Sequence, residues 1–480
     1  MNSGMTRREL LCRSGMGMGA LGLAGLAAAA ADEHNALSPL APRRSPFPAR
    51  AKRVIHIFAN GGPSHVDTFD PKPALERISG KPLPPEFTKG ANTKGNVAFP
   101  SSFKFRKYGQ SGMEISELFP NLGQVADELC LIRSMQADDP NHEPSLLLMN
   151  CGEPRQSRPS LGSWVTYGLG SENQNLPGFI AMCPYGYPIY QSQNWQSGFL
   201  PGIYQGTYLD TQHTEVEKLI ENVRNGRMSS KEQQESLSLL RDLNREHQAP
   251  RTADPQLEAR IQSFELAYRM QMDALDAFDA SKEPEHVRAL YGPGVQARQL
   301  LIARRLLERG VRFVQVWTGR EQPWDNHSGI HGAISKLAGD SDRGLAALIQ
   351  DLKQRGMLED TIVIWGGEFG RTPTVEGRPG KEAGRDHQSS VFSMWMAGGG
   401  LKRGHVHGAS DEFGLHPVEG RVHVHDLHAT ILHLMGFDHE KFTYRYAGRD
   451  FRLTDVHGTV VKGLLASAPF PKGDSMPRLL

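Results

Sequence analysis

The chain is poor in the features that most quickly assign a protein to a class. Its 480 residues hold four cysteines, Cys12, Cys130, Cys151 and Cys183. Their spacing fits neither a CxxC metal site nor a disulfide framework, so buried thiols are expected. Charge of either sign is not in excess: 54 Lys+Arg face 53 Asp+Glu, for a formal net charge of +1. That balance lacks the electrostatic footprint of a nucleic-acid partner or of a polybasic membrane contact. Beyond the N-terminus no stretch is apolar enough to span a bilayer, so no membrane span is expected in the mature chain. There is no internal repeat. Hydrophobic residues make up 38% and charged residues 22%, ordinary proportions for a globular protein with a large core.

The N-terminus reads as an address rather than as part of the fold. "TRRELLCRSGMGMGALGLAGLAAAAADEH" carries paired Arg7 and Arg8, then a weak Gly/Ala/Leu run with small residues at Ala29–Ala31. The run is roughly 17 residues, short of the ~20 of a spanning helix. Residues 1–32 are therefore expected to be a twin-arginine signal peptide, and the protein a client of the twin-arginine export machinery, periplasmic or otherwise exported. This route carries folded proteins, often with a cofactor in place. Residues 33–51, "EHNALSPLAPRRSPFPARA", read as a proline-rich linker.

From residue 52 to about 470 the pattern is that of one α/β domain. "RVIHIF", "CLIRSM", "VRFVQVW", "TIVIW" and "SSVFSMWMAGGG" are short apolar strands. "ARQLLIARRLLERG", "GLAALIQDLKQRG" and "HDLHATILHLMG" are helices stopped by Gly310, Gly356 and Gly436, the last with Asp426 as its expected N-cap. The alternation predicts a mainly parallel sheet flanked by helices. Residues 211–290 are charged helical sequence without strands and read as a helical insertion.

In such sheets ligands bind beyond the carboxyl ends of the strands. After the first strand come Asn60, His65 and Asp67. After "VRFVQVW" come Asp325, His327 and His331, after "TIVIW" come Glu368 and Arg371, and just before "SSVFSMWM" stand Asp386 and His387. Each has a plain alternative: a solvated histidine in "DNH", Asp386 paired to an arginine, Glu368 paired to Arg371. Their shared position at strand ends makes a divalent metal site the better reading. Mixed imidazole and carboxylate donors suit zinc or manganese, with calcium possible though it prefers fewer histidines. His142 opens "HEPSLLLMNCG", a short helix with Pro144 in its first turn and Gly152 at its end. A helix N-terminus opposes protonation, so a neutral His142 is expected, able to attack phosphorus, bind metal or take a proton. In "HVHDLHATILHLMG", His425 and His428 read first as packing and capping residues. "YRYAGRDFRLTD" reads first as surface ion pairing, with an anionic or sugar ligand as the alternative.

The motifs "GGPSHVDTFDPKP", "NHEPSLLLMNCG", "RPSLGSWVTYGLG", "WDNH", "GGEFGRTP", "GRDH", "AGGGLKRGHVHGASDEFG" and "HDLHATILHLMGFDHEKFTYRYAGRDFRLTDV" resemble a sulfatase-like family of exported bacterial proteins (DUF-1501) over about Arg53 to Leu465. The arrangement looks like the alkaline phosphatase and sulfatase superfamily, which implies an alkaline-phosphatase-like core. It also implies an exported metal-dependent hydrolase of sulfate or phosphate esters. On this resemblance Asp325, His327, Glu368, Asp386 and His387 are expected to hold one or two ions, His65 and Asp67 to substitute for a ligand lost at Asn60, His142 to be nucleophile or ligand, and Arg371 to steady anionic oxygens. His142 stands where sulfatases have a Cys or Ser for conversion to formylglycine, and Glu368–Phe369 stand where the superfamily has Asp-His. These departures imply the alternative of a non-catalytic relative that binds a sulfated or phosphorylated polysaccharide.

Overall fold

The apolar runs are strands because β-branched and aromatic side chains suit a pleated surface that is covered on both faces. Nine of them form one sheet in a computed structural model that describes residues 39–89, 97–220, 228–248, 275–377 and 380–467, with part of 257–270. In chain order they are β1 (Arg53–Phe58), β2 (Leu129–Gln136), β3 (Phe179–Cys183), β4 (Thr207–Asp210), β5 (Phe313–Trp317), β6 (Thr361–Gly366), β7 (Phe392–Gly398), β8 (His405–His407) and β9 (Val422–His423). The spatial order is β8-β2-β7-β6-β1-β5-β3-β4, with β9 beside β2. All neighbouring pairs are parallel except those of β7, which runs antiparallel to both β2 and β6.

Side chains alternate between two cores, as a period of two requires. Ile55, Ile57, Val314, Val316, Val363 and Trp365 face one layer, with α4 (Val295–Glu308) and α5 (Ile330–Gln354) packed there. Val54, Phe58, Phe313, Trp317, Ile362 and Ile364 face the other. That layer holds α1 (His142–Cys151), α2 (Leu161–Leu169) and α6 (Val424–Leu434). The protein is thus an α/β fold with a mainly parallel sheet between helices. The single reversed strand matters for function. Because β7 runs backwards, the residues just before it, Asp386 and His387, lie at the same sheet edge as the residues just after β1, β2, β5 and β6.

Three details differ from the sequence reading. The N-cap of α6 is His423, whose ring accepts from His425 N–H, while Asp426 closes a capping box by accepting from His423 N–H at 2.9 Å. The described part of the segment read as a linker, residues 39–51, is bound to the domain. Leu40 and Ala51 are buried, and Arg43 N–H donates to the Leu169 carbonyl at 2.8 Å. The α5 helix begins at Ile330, well before the run that announced it. Within 211–290 the described residues form helices, among them α3 (Ser230–Gln248), and no strand. The segment read as a signal peptide lies outside the described residues. Cys130, Cys151 and Cys183 are free and buried. Among the described residues no helix is long and apolar enough to cross a membrane.

Candidate metal centre

Four loops meet at this edge because each is pinned by hydrogen bonds to a neighbour. Asn60, at the end of β1, donates its amide to the carbonyls of Gly319 (2.8 Å) and Glu321 (2.6 Å) and accepts from the Thr318 hydroxyl. It thereby braces the loop after β5 and is spent as a possible ligand. Gly61 has φ +111°, and a Cβ there would lie 2.5 Å from the Asp325 amide nitrogen, so only glycine lets the two loops touch. Asp67 forms a buried ion pair with Arg385, at 2.7 and 3.2 Å, and so fixes the segment that presents Asp386 and His387. Gly384, in that segment, packs against the backbone of His327.

The result is a convergence of imidazoles on one carboxylate oxygen. Nε2 of His142, His327 and His387 lie 3.2, 2.9 and 3.2 Å from Asp325 Oδ1. Nε2 of His327 and His387 are 2.9 Å apart. On the far side of each ring Nδ1 meets an acceptor: Glu368 Oε1 at 2.6 Å for His142, Glu376 Oε2 at 2.5 Å for His327, and the Pro140 carbonyl at 2.6 Å for His387. A carbonyl only accepts, so Nδ1 of His387 carries the proton, and the carboxylates select the same tautomer in the other two rings. The three rings thus turn Nε2 toward Asp325 Oδ1, which also accepts from the Arg371 guanidinium at 2.5 Å. His142 Nε2 is buried without an aligned hydrogen bond. The set has the outer acceptors that usually orient metal-ligating histidines. Ligand atoms of His142, Asp325 and His387 lie within 4.8 Å of one another, as do those of His327, Asp386 and His387. The residues fit a divalent ion with nitrogen and oxygen preference.

The charges point the same way. Burial opposes charge on His142, yet hydrogen bonds to Asp325 and Glu368 outweigh it and carry the imidazole up to about 9. This corrects the expectation of a neutral ring at a helix N-terminus: two carboxylates outweigh the helix end. Burial also pushes the Asp325 carboxyl up, but His142, His387 and the Arg371 guanidinium hold it far below the usual carboxylate range. Without a metal, the Arg371 guanidinium and a proton on His142 together offset the Asp325 charge.

Several expected roles change. His65 is buried elsewhere, with Nε2 donating to the Gly414 carbonyl at 2.9 Å, and it does not approach the cluster. Asp67 belongs to the Arg385 pair. Glu368 stands behind His142, its oxygens taken by Gly61 N–H and the His142 ring, so it orients rather than ligates. Arg371 is 0% exposed and spends four of its five N–H donors on the carbonyls of Gly61, Gly62 and Arg385 and on Asp325, so it braces the site from within. His331 stacks on Phe103 at 4.7 Å, away from the cluster. Asp325, His327, Asp386 and His387 do converge. Glu376 and Pro140 had no signal in the sequence; Phe369, noted there as a departure from Asp-His, has its ring centroid 4.7 Å from that of His142 and 4.8 Å from that of His387. His425 and His428 donate Nε2–H to the carbonyls of Gly152 (3.0 Å) and Met149 (2.8 Å), capping the far end of α1.

An α/β sheet with a histidine and carboxylate centre at one edge is the class these observations define. The chain belongs to the family described as proteins of unknown function DUF1501, whose profile matches residues 51–465. No curated protein matches it. Among solved structures it is similar to the lipoteichoic acid synthase LtaP from Listeria monocytogenes, at 10% identity over 90% of this chain and 82% of that one, TM-score 0.35. It is similar to the PsFucS1 sulfatase from Pseudoalteromonas sp., at 13% identity over 87% and 72%, TM-score 0.35. It is also similar to the alkaline phosphatase from the Antarctic bacterium TAB5, at 10% identity over 73% and 92%, TM-score 0.32.

Proposed function

We propose that the protein is a metal-dependent hydrolase of sulfate or phosphate esters, exported through the twin-arginine route to the periplasm. The observation that carries the metal is the aim of three imidazole Nε2 atoms at Asp325 Oδ1, each ring locked from behind. His142, His327, His387, Asp325 and Asp386 would hold the ion, and Glu368, Glu376 and the Pro140 carbonyl would keep the rings in the ligating tautomer. A divalent ion there supplies Lewis acidity toward an anionic ester. It also reverses the local field. Asp325, Glu368 and Asp386 surround the Arg371 guanidinium, so carboxylates outnumber it and an anionic ester is disfavoured until cations load. Zinc or manganese fits the donors better than calcium. With both ring nitrogens engaged, His142 is assigned as a ligand rather than as the nucleophile.

The test is elemental analysis of the mature protein, purified without chelator, beside His142→Ala and Asp325→Ala. Near-stoichiometric metal lost in both variants supports this assignment. Loss only in Asp325→Ala returns His142 to the role of nucleophile. Wild-type protein that holds no metal, and gains none from zinc, manganese or calcium, sinks the hydrolase reading. The second reading then stands, a non-catalytic relative that binds a sulfated or phosphorylated polysaccharide. It is favoured by the absence of Cys or Ser at position 142 and by Phe369 packed against the imidazoles of His142 and His387. Turnover of aryl sulfates, phosphates and phosphodiesters by the metal-loaded protein separates the two.

A further inference from the structure

Backbone strain is concentrated beside the metal centre. Six described residues other than glycine have positive φ, and four of them sit in two adjoining loops: Tyr185 (67°), Tyr190 (60°) and Gln191 (44°) after β3, and Glu321 (56°) after β5. A loop that only had to reverse direction would carry Gly or Asn at such positions. Bulky residues stay in this region only where the surroundings hold them, and such sites cluster where a ligand is bound.

The holding groups can be named. Glu321 N–H donates to the Tyr187 carbonyl at 3.1 Å. The buried Asn194 amide donates to the carbonyls of Ile189 (2.8 Å) and Gln191 (3.0 Å). Asn194 Oδ1 accepts from Asn150 at 3.2 Å, and Asn150 Oδ1 accepts from Gln315 at 2.7 Å. Asn150 lies on α1, the helix that opens with His142, and Gln315 lies in β5, the strand that leads to Asp325. A buried chain of amides thus ties the strained loop to the two elements that carry the metal centre. Beneath it Tyr187 stacks on Tyr208 at 4.2 Å, and Tyr208 lies nearly parallel to Trp195, a rigid aromatic floor.

The loop displays a consistent chemistry. Tyr185 is 57% exposed, and Gln191, Ser192 and Gln193, further along the same loop, are exposed as well. Arg320, paired with Glu321, flanks Gly186. A loop that exposes an aromatic ring, planar amides and a hydroxyl matches the needs of a sugar ring, which has an apolar C–H face and a rim of hydroxyls. A nucleobase would call for a closed slot between two rings, and Tyr185 stands in the open. We infer that the 184–193 loop is a carbohydrate-binding subsite, with Tyr185 as the stacking platform for the sugar that bears the ester. The inference rests on the reading of the Asp325 centre as the place where that ester binds, since both lie at one sheet edge.

The experiment probes the mature wild-type protein, Tyr185→Ala and Tyr185→Phe on an array of sulfated, phosphorylated and neutral oligosaccharides, with metal content measured on the same samples. The expected result is wild-type binding that weakens about tenfold or more in Tyr185→Ala and is kept in Tyr185→Phe, all with unchanged metal. Wild-type protein that binds no sugar overturns the inference, as does Tyr185→Ala binding within about twofold of wild type. Loss of binding in Tyr185→Phe overturns the stacking role. Tyr185-dependent binding by a protein that holds no metal leaves the subsite standing and sinks the hydrolase reading, so the two failures are distinct.

Discussion

The two ends of α1 are both furnished with histidines, and they use them in opposite ways. At the N-terminal end His142, His327 and His387 are held through Nδ1 and turn Nε2 toward Asp325. At the C-terminal end His425 and His428 turn Nε2–H toward the carbonyls of Gly152 and Met149. One end is the proposed cation site and the other is a helix cap. The difference is which nitrogen meets an acceptor first, a tautomer choice made by residues distant in sequence. Burial adds to it. His428 is fully enclosed, and desolvation pulls its imidazole down to about 3, whereas carboxylates pull His142 up to about 9.

This contrast can be broken at either end. The largest effect is expected from Asp325→Asn. It removes the negative charge on which the rings converge and leaves the Arg371 guanidinium buried without its carboxylate. Metal should fall below detection by elemental analysis, and denaturant unfolding should show a loss of about 3–5 kcal/mol. At the other end, His428→Ala should cost about 2–4 kcal/mol through a cavity and an uncapped carbonyl, with metal stoichiometry unchanged; metal lost in this variant would merge the two ends into one unit.

Acid should also weaken the capped end. Burial holds the folded His428 ring down to about 3 against about 6.5 for a free imidazole, and His56 the same. The unfolded chain therefore binds protons first. Stability from these burials is full above pH 6.5 and is lost as pH falls toward 3, by about 1.4 kcal/mol per unit for each ring. Urea midpoints at a series of pH values measure this, and a flat profile in wild type would show that the rings are not buried neutral.

At the metal end, Glu368→Gln should weaken metal affinity about 10- to 100-fold in a chelator competition, because an amide can present an N–H to the His142 ring and release the tautomer. Glu376→Gln should do the same to His327 by less than about tenfold, since that pair is half exposed to water. Equal effects from the two would remove burial as the deciding factor.

Much of the frame was legible in the sequence. Strands β1, β2, β5, β6 and β7, the helix from His142 to Gly152 and the grouping of Asp325, His327, Asp386 and His387 follow from apolar period, glycine stops and strand-end position, whereas β3, β4, β8 and β9 lie outside that reading. The reading of the site was incomplete where a ligand and its support look alike. Glu368 and His142 are 226 residues apart, and nothing local says that one orients the other. His65 and Asp67 share the composition of ligands, yet one is packed under Gly414 and the other is bound to Arg385. Glu376 sits 49 residues from its histidine in a loop with no pattern of its own.

What the sequence by itself determined is local: which runs are strands and helices, where they stop, and which chemical groups stand at their ends. These follow from side-chain period, backbone restriction at proline and glycine, and capping, all short-range effects. What only the tertiary structure decided is direction and partnership. The reversal of β7 carries Asp386 and His387 to the correct edge, and long-range contacts assign each imidazole its proton. Both depend on which surfaces bury against one another, and a single lone pair or N–H changes purpose with whatever group lies 3 Å away.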